Sequence, residues 1–252
     1  SNTVYKTKDL KTHSQHLPTT SEEKIAIIGC SGAFSGNNSA NIYWRNILSG
    51  ENCISLLTKK DCLNAGVSEY ITDRSDYVPM GGIIADIDKF DAGFWKLSPK
   101  DAAHMDPQIR LFLENAWKAL EMSGYIRDRS KLAISVFAGG GGNQYLWDNL
   151  YHNKKIMHSM DKLEVYFLGC KDFLAARTSY LLDLHGPVIN IYTGCSTSLV
   201  AVIEACKQLA QGTCQLAIAG GVNVILPQNF GYVYKEGMIS SPDGYIRSFD
   251  KD

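Results

Sequence analysis

The sequence predicts an α/β layered fold, and three observations predict it. Short apolar runs with the length of a buried strand recur along the chain. Longer segments with apolar residues at helical spacing lie between them, and glycine or proline marks several of the joints. Buried strands that alternate with helices are typical of layered α/β proteins. Composition agrees, since 45% hydrophobic and 20% charged residues are ordinary values for a globular protein with a sizeable core.

The first part of the chain predicts one strand, two helices and a long loop. The strand is predicted where an apolar run ends in glycine, and the helices where helical spacing of apolar residues precedes a glycine. The loop is rich in Gly, Asp and Pro. In chain order the segments are a strand over 24–32, a helix over 43–52 that Gly50 ends, a loop over 71–95, and a helix over 105–125 that begins at Asp106 and Pro107 and ends at Gly124.

The second part alternates more regularly. A strand over 132–142 runs into a glycine cluster, and a Gly-Pro turn separates the next helix from the next strand. The further segments are a helix over 172–184, a strand over 188–192, a helix over 196–211 and a strand over 215–226. The apolar residues predicted on the packed side of the helix over 196–211 are Leu199, Val200, Val202, Ile203, Cys206 and Leu209.

Charge and hydropathy exclude several classes of function. Residues 1–23 are polar, lack the apolar middle of a signal peptide, and predict a flexible lead-in to a single unit over 24–252. The formal net charge of −1 favours neither nucleic acid nor an anionic membrane as a partner. Because no apolar run reaches about 18 residues, no membrane span is predicted.

The cysteines indicate a reducing compartment. They are odd in number and form no CxxC pair, which argues against a disulfide framework and against a zinc site. A cytosolic protein that binds no metal is therefore predicted. The seven residues are Cys30, Cys53, Cys62, Cys170, Cys195, Cys206 and Cys214.

Cys195 has an unusual place, because it lies on the joint between the strand over 188–192 and the helix over 196–211. The N–H groups and the positive dipole end of a helix N-terminus favour a thiolate, which is the nucleophilic form. Its neighbours are threonine, glycine and serine, small residues that leave room for a substrate and N–H groups for an oxyanion. A free cysteine is also often a small buried hydrophobe, the interpretation given to Cys206. The local pattern alone leaves both interpretations open for Cys195.

Two glycine clusters raise the possibility of a phosphate cradle. Gly29–Gly32 and Gly139–Gly142 both follow predicted strands. Neither gives G-x-G-x-x-G at the start of a helix with an acidic residue at the required distance. We therefore interpret both as close-packing turns, and nucleotide binding is not predicted.

Five segments carry a resemblance to a known family. They are YTGCSTSLVAV around Cys195, IAIIGCSGAFSG, FDAGFWKLSPKDAAHMDPQIRLFLENAWKALEMSGY, DFLAARTSYLLDLHGPVINI, and LAIAGGVNVILPQNFGYVYKEGMISSPDGYIRSFDKD. In this order they resemble the β-ketoacyl synthases, the ketosynthase domains of modular polyketide and type I fatty-acid synthases. The resemblance extends from about Lys24 to Asp252.

The resemblance implies a chemistry for Cys195. It implies that Cys195 is the nucleophile, which accepts an acyl chain from a phosphopantetheine arm as a thioester. A malonyl-type extender on an acyl carrier protein is then decarboxylated, and its carbanion attacks that thioester. The N–H of Cys195 would be one oxyanion donor. The implied partners are the carrier protein with its phosphopantetheine, both thioesters and a second copy of the chain, paired around Val188–Tyr192. No cofactor is bound directly.

The resemblance also implies a larger fold. Ketosynthases have the thiolase fold, in which two similar halves pack as an αβαβα sandwich, and this chain resembles the N-terminal half. The family's two catalytic histidines lie in segments like HGTGT and NIGH, which are absent here. We expect this chain to be a piece of a longer protein, with sheet and helix faces exposed and no condensation on its own. No catalytic role is predicted for its six histidines, which are His13, His16, His104, His152, His158 and His185.

The chain departs from the family where the family usually reads DTACSSS. Tyr192 replaces an acidic residue and Gly194 replaces alanine, and neither change removes the nucleophile. Two alternatives remain open. One is a non-catalytic, ketosynthase-like dimer partner, against which the presence of Cys195 argues. The other is a thiolase-type condensing enzyme that uses coenzyme A thioesters, against which the helix over 105–125 and the C-terminal SSPDGYIRSFDKD argue.

Overall fold

A computed structural model describes residues 24–36, 39–248 and 251, so the predicted lead-in over 1–23 lies outside the described residues. The helices of the described chain are α1 (Ala40–Ser49), α2 (Lys59–Asn64), α3 (Glu69–Thr72), α4 (Pro99–His104), α5 (Pro107–Met122), α6 (Lys154–Ser159), α7 (Lys162–Gly169), α8 (Leu174–Leu182) and α9 (Thr197–Ala210). The strands are β1 (Ser55–Leu56), β2 (Tyr77–Val78), β3 (Met80–Gly81), β4 (Ile134–Gly140), β5 (Val188–Asn190), β6 (Leu216–Val222) and β7 (Tyr232–Val233).

The main sheet is parallel and has the order β5–β4–β6. Val136 of β4 pairs with Val188 on one side and with Ile218 on the other. Two short antiparallel ribbons, β1–β3 and β2–β7, complete the described strands. Because the main strands are parallel, their carboxyl ends meet at one edge of the sheet, the edge where ligands bind in open α/β sheets.

Side chains of β4 alternate between two helical layers. Ile134, Val136 and Ala138 pack in a core with α5 and α8, and Phe137 packs on the other face with α9. The period of two along the strand sends successive side chains to opposite faces. The observed order of layers, helices then sheet then helix, confirms the predicted α/β fold.

Helix α5 forms where the sequence predicts it. The Asp106 carboxylate accepts a hydrogen bond of 2.7 Å from the Gln108 N–H, and Pro107 occupies the first helical position. Both features fix a helix start, because the first N–H groups have no acceptor within the helix and proline has no N–H. Leu113 and Leu120 lie on the buried side of the helix. The glycine stop of α1 is also confirmed, since Gly50 has φ = 67°.

The strand predicted over 24–32 does not form. This segment has no assigned strand, and Ile27 is 89% exposed. A strand requires backbone pairing with a neighbour, and apolar composition alone does not supply one. The segment instead lies against α5, where the Ser31 hydroxyl donates to Asn115 Oδ1 at 2.7 Å.

The predicted packed side of α9 is also wrong in part. Ala201 and Ala205 face the sheet, whereas Leu199, Val202 and Ile203 are exposed and Cys206 is half-buried. Both faces of α9 are apolar, so helical spacing alone does not identify the side that packs. Small residues allow the helix to approach β4 and β6 closely.

The region between β4 and α8 is more helical than the sequence predicts. A π-helical segment over Leu146–Tyr151 is followed by α6 and α7. His152 directly follows the π-helical segment, and His158 lies within α6. Short helices give a weak periodic signal, and side-chain caps at Asn153 and Asp161 define these two.

In the part of the chain described here, no helix is long and apolar enough to cross a membrane.

Gln108 links the loops that follow β4 and β6. Its Oε1 accepts hydrogen bonds from the N–H groups of Gly141 at 2.9 Å and Val224 at 3.3 Å, and its Nε2 donates to the Gly142 carbonyl at 3.1 Å. The side chain is only 3% exposed. Buried backbone groups in loops need such partners, because an unpaired one costs about 1–3 kcal/mol.

We predict that Gln108→Leu lowers the free energy of unfolding by about 1–3 kcal/mol, because the buried Val224 N–H loses its acceptor, whereas the Gly141 N–H keeps the Val222 carbonyl. Urea denaturation followed by circular dichroism measures the change. Gln211→Leu, at an exposed position just after α9, is the matched control and is expected to change stability by less than about 0.5 kcal/mol. Equal effects of the two substitutions would contradict the role of Gln108.

Candidate active site

Cys195 lies at the carboxyl edge of the parallel sheet. It is exposed and sits in the middle of a short 3₁₀ turn, Gly194–Ser196, which leads directly into α9. The strand before this turn is β5. The joint between strand and helix is therefore where the sequence predicts it, with the thiol accessible from outside.

Hydroxyl side chains hold the turn together. The Thr193 N–H donates to Thr197 Oγ1 at 3.0 Å, and that hydroxyl donates to the Gly194 carbonyl at 2.8 Å. The Ser196 hydroxyl donates to the Thr193 carbonyl at 2.9 Å. Side chains that follow Cys195 therefore satisfy backbone groups of Thr193 and Gly194, which precede it, and the thiol takes no part in these bonds.

Gly194 allows the sharp change of direction before Cys195. Its φ is 64°, in the left-handed region. A residue with a Cβ adopts this conformation at a cost of roughly 1–2 kcal/mol, and glycine adopts it freely. A Cβ at this position meets no heavy atom within 4 Å, so the requirement is one of backbone conformation and not of space.

Strand β4 packs closely against the chain on both sides of the turn, at Ile191 and Thr197. A Cβ on Gly139 would collide with the Ile191 carbonyl oxygen and with Thr197 Cγ2. A Cβ on Gly141 would likewise collide with Asn223 Oδ1. These contacts support the interpretation of the glycine cluster at 139–142 as a close-packing turn.

Beside the turn lie Tyr192 and Lys171, two residues that no sequence pattern connects. The Tyr192 hydroxyl donates to the Lys171 carbonyl at 2.8 Å, and the Lys171 ammonium lies 3.4 Å from the centre of the Tyr192 ring. Burial first, and then the negative charge of Asp172, raise the pKa of the Tyr192 hydroxyl, so it stays a protonated donor. Tyr192 follows β5 and Lys171 precedes α8. The spacing of apolar residues in the sequence predicts single helices and strands, so it gives no sign of a contact between the two.

None of the described histidines lies in the turn that contains Cys195. His152 Nδ1 lies 2.6 Å from the Trp147 carbonyl oxygen, and His185 Nε2 lies 3.4 Å from the Asp183 carboxylate. His104 ends α4, its buried Nδ1 has no hydrogen-bond partner among the described residues, and burial lowers its pKa. His13 and His16 lie outside the described residues. Across the residues that the structure describes, no cluster of His, Cys, Asp and Glu could hold a metal ion.

The other cysteines have different environments. Cys62, Cys170 and Cys214 are buried, and all the cysteines are free thiols. Cys30 is the second exposed cysteine, on the segment that packs against α5. Cys30 therefore serves as an internal reference for a thiol that is accessible but is not at a helix start.

Comparison with known proteins identifies a sequence family and related structures. A profile of the β-ketoacyl synthase N-terminal domain matches residues 22–252. The chain is 33% identical over 243 residues to polyketide synthase PksN of Bacillus subtilis, covering 96% of this chain and 4% of that protein. It is 37% identical over 237 residues to polyketide synthase PksM of the same organism, covering 92% of this chain and 5% of that protein.

The folds also correspond. Ketosynthase twelve from the bacillaene polyketide synthase of Bacillus amyloliquefaciens superposes with a TM-score of 0.76 at 30% sequence identity. The match covers 87% of this chain and 38% of that one. This similarity, together with the layers described above, gives the chain the thiolase-like fold expected from the sequence. The chain spans well under half the length of each of these relatives.

We predict that Gly139→Ala lowers the free energy of unfolding by about 1–3 kcal/mol, because the backbone at Ile191 must move to admit the methyl group. Urea denaturation provides the measurement. Gly142→Ala is the control, since a Cβ there meets nothing within 4 Å. A Gly139→Ala protein as stable as Gly142→Ala would contradict the close approach.

Proposed function

The chain belongs to the β-ketoacyl synthase family, and we propose that it is the nucleophile-bearing half of a polyketide-synthase ketosynthase. In this proposal Cys195 accepts an acyl group as a thioester. The observation that carries it is the position of Cys195, exposed at the start of α9 and at the carboxyl edge of the sheet. That edge is the usual place for a site in an open α/β sheet.

The first half-reaction is a thioester exchange. The Cys195 thiolate attacks the carbonyl carbon of an acyl group carried by phosphopantetheine on an acyl carrier protein. The new carbon–sulfur bond forms through a tetrahedral oxyanion. The bond to the pantetheine sulfur then breaks, and that thiolate takes up a proton. The chain itself needs no bound cofactor for this step, because the pantetheine arrives on the carrier protein.

The start of α9 provides favourable electrostatics for this step. N–H groups in the first turn of a helix have no acceptor within the helix, and the dipole places partial positive charge there. Both favour the oxyanion that forms when Cys195 attacks an acyl carbonyl. In the proposal, the Cys195 N–H is one of the oxyanion donors.

The second half-reaction requires groups that we do not place among the described residues. A malonyl-type extender on the carrier protein loses CO₂, and the resulting carbanion attacks the acyl-Cys195 thioester to form a carbon–carbon bond. The enolate oxygen formed on decarboxylation needs hydrogen-bond donors. His152 and His185 make local contacts, His104 lies at the end of α4, and none of the three is in the turn that contains Cys195. We therefore propose that a second, C-terminal half supplies the donors, and that this unit alone loads acyl groups without condensing them.

Exposed apolar surfaces support this division of the fold. Leu199 of α9 is 63% exposed, and Val202 and Ile203 lie beside it on the outward face. Exposed apolar patches commonly mark interaction surfaces. We propose that the second half of the sandwich covers this face of α9, and that the exposed edge at Val188 and Ile189 pairs with a second copy of the chain.

The relatives favour a carrier-protein substrate over coenzyme A thioesters. Those reported above are polyketide synthases, and the fold neighbour is a ketosynthase from such a system. The exposed Cys195 disfavours a purely non-catalytic partner. Free cysteines throughout the described chain fit a reducing cytosol, where we propose that the protein acts.

We predict that an acyl-N-acetylcysteamine thioester adds one acyl mass to the protein, at Cys195. Intact mass spectrometry followed by peptide mapping measures the extent and the position. Cys195→Ala should abolish the added mass, and Cys30→Ala, which removes the other exposed thiol, should leave it unchanged. Loading that persists in Cys195→Ala, or that follows Cys30, would contradict the proposed function.

A further inference from the structure

Two polar side chains attach the strand that leads to Cys195 to the first turn of α8 and to the 3₁₀ turn Lys171–Phe173 before it. Asn190 and Tyr192 are two residues apart, so their side chains leave the chain on the same side. Ile191, between them, points to the opposite side and is buried with Phe137 and α9. The same stretch of chain is therefore held from both faces just before the turn.

Asn190 makes the first of these attachments. Its Oδ1 accepts a hydrogen bond of 3.0 Å from the Ala175 N–H in the first turn of α8. Its Nδ2 donates to the carbonyl oxygen of Asp172. Both partners are backbone groups, so the bonds fix the end of β5 relative to the axis of α8.

Tyr192 makes the second attachment, closer to the thiol. Its hydroxyl donates to the Lys171 carbonyl at 2.8 Å, and the Lys171 ammonium covers the ring at 3.4 Å from its centre. A cation over an aromatic face adds attraction to the hydrogen bond. The Lys171 ammonium also pairs with Asp172 at 3.0 Å and is therefore restrained in place.

The attachment continues to the loop after β4. The Lys171 N–H donates to Asn143 Oδ1 at 2.9 Å. Asn143 directly follows the glycine cluster whose close approach limits the turn. The backbone of Lys171 therefore bonds both to Tyr192, after β5, and to Asn143, in the loop after β4.

We infer that Tyr192 is a positioning residue for Cys195, acting through its hydrogen bond to the Lys171 carbonyl and its contact with the Lys171 ammonium. The inference rests on the proposed function, since it concerns the presentation of the same nucleophile. Tyr192 lies three positions before Cys195 in the chain, and a displaced Tyr192 shifts the entry of the chain into the turn. The thiol then leaves its exposed place in the turn before α9, and an electrophile reaches it less readily.

Competitive alkylation with iodoacetamide tests this inference. The measured quantity is the rate of carboxamidomethylation at Cys195 divided by the rate at Cys30 in the same molecule, read by peptide mass spectrometry. Tyr192→Phe keeps the ring and removes the hydroxyl. The ratio should fall about fivefold, which is the effect of one hydrogen bond of about 1 kcal/mol. Tyr180→Phe, at an exposed tyrosine on α8, should leave the ratio unchanged.

A second pair of variants tests the cation. Lys171→Met keeps the aliphatic stem and removes the charge above the ring, and the ratio should fall about twofold to fivefold. Lys171→Arg retains a cation that can cover the ring and should restore the ratio to within about twofold of the unchanged protein. If the ratio recovers in Lys171→Arg but not in Lys171→Met, the cation over the Tyr192 ring is required, and packing of the aliphatic stem is not sufficient.

The outcomes separate this inference from the proposed function. If the unchanged protein alkylates Cys195 no faster than Cys30, both the proposed nucleophile and the inference fail. If Cys195 reacts faster but Tyr192→Phe leaves the ratio unaltered, only the inference fails. A loss of stability in urea with a constant ratio would likewise assign Tyr192 a structural role alone and overturn the inference.

Discussion

The close approach of β4 to the turn after β5 determines the arrangement around Cys195. Gly139 lies so near the Ile191 carbonyl and Thr197 that no side chain fits there. This contact brings the first turn of α9 down onto the sheet, and Ala201 and Ala205 extend the same close packing along the helix. Because small residues remove the usual separation between helix and strand, the backbone that leads into the turn lies directly against the sheet.

Polar side chains hold the loops around this close approach of β4 in place. The Gln108 side chain accepts hydrogen bonds from backbone N–H groups in the loops after β4 and β6. The Thr197 hydroxyl accepts one from the Thr193 N–H, just before the turn. A nucleophile that must meet an acyl carbonyl within a short distance depends on such preorganisation. The function we propose therefore follows from a set of backbone positions, with the thiol as its reactive atom.

The sequence predicted the elements whose signals are local. Asp106 and Pro107 predicted the start of α5, and the position of Cys195 between an apolar run and a helical pattern predicted the joint. The failures concern contacts with other parts of the structure. The run around Ile27 has the composition of a strand but no pairing partner in the described chain, and Leu199 has helical spacing but faces outward. The contact of Lys171 with Tyr192 joins separate elements and gives no periodic signal.

Amide hydrogen exchange, resolved by residue with NMR, tests most directly whether the turn is held as part of the core. The Ile191 N–H donates to the Ala138 carbonyl at 2.9 Å, and the Val136 N–H donates to the Pro187 carbonyl at 3.0 Å. If the turn is held as part of the core, Ile191 exchanges as slowly as Val136, and Thr193 exchanges far more slowly than the exposed Ile27. Exchange of Ile191 and Thr193 at the rate of Ile27, while Val136 stays protected, would show that the turn is not held in the core.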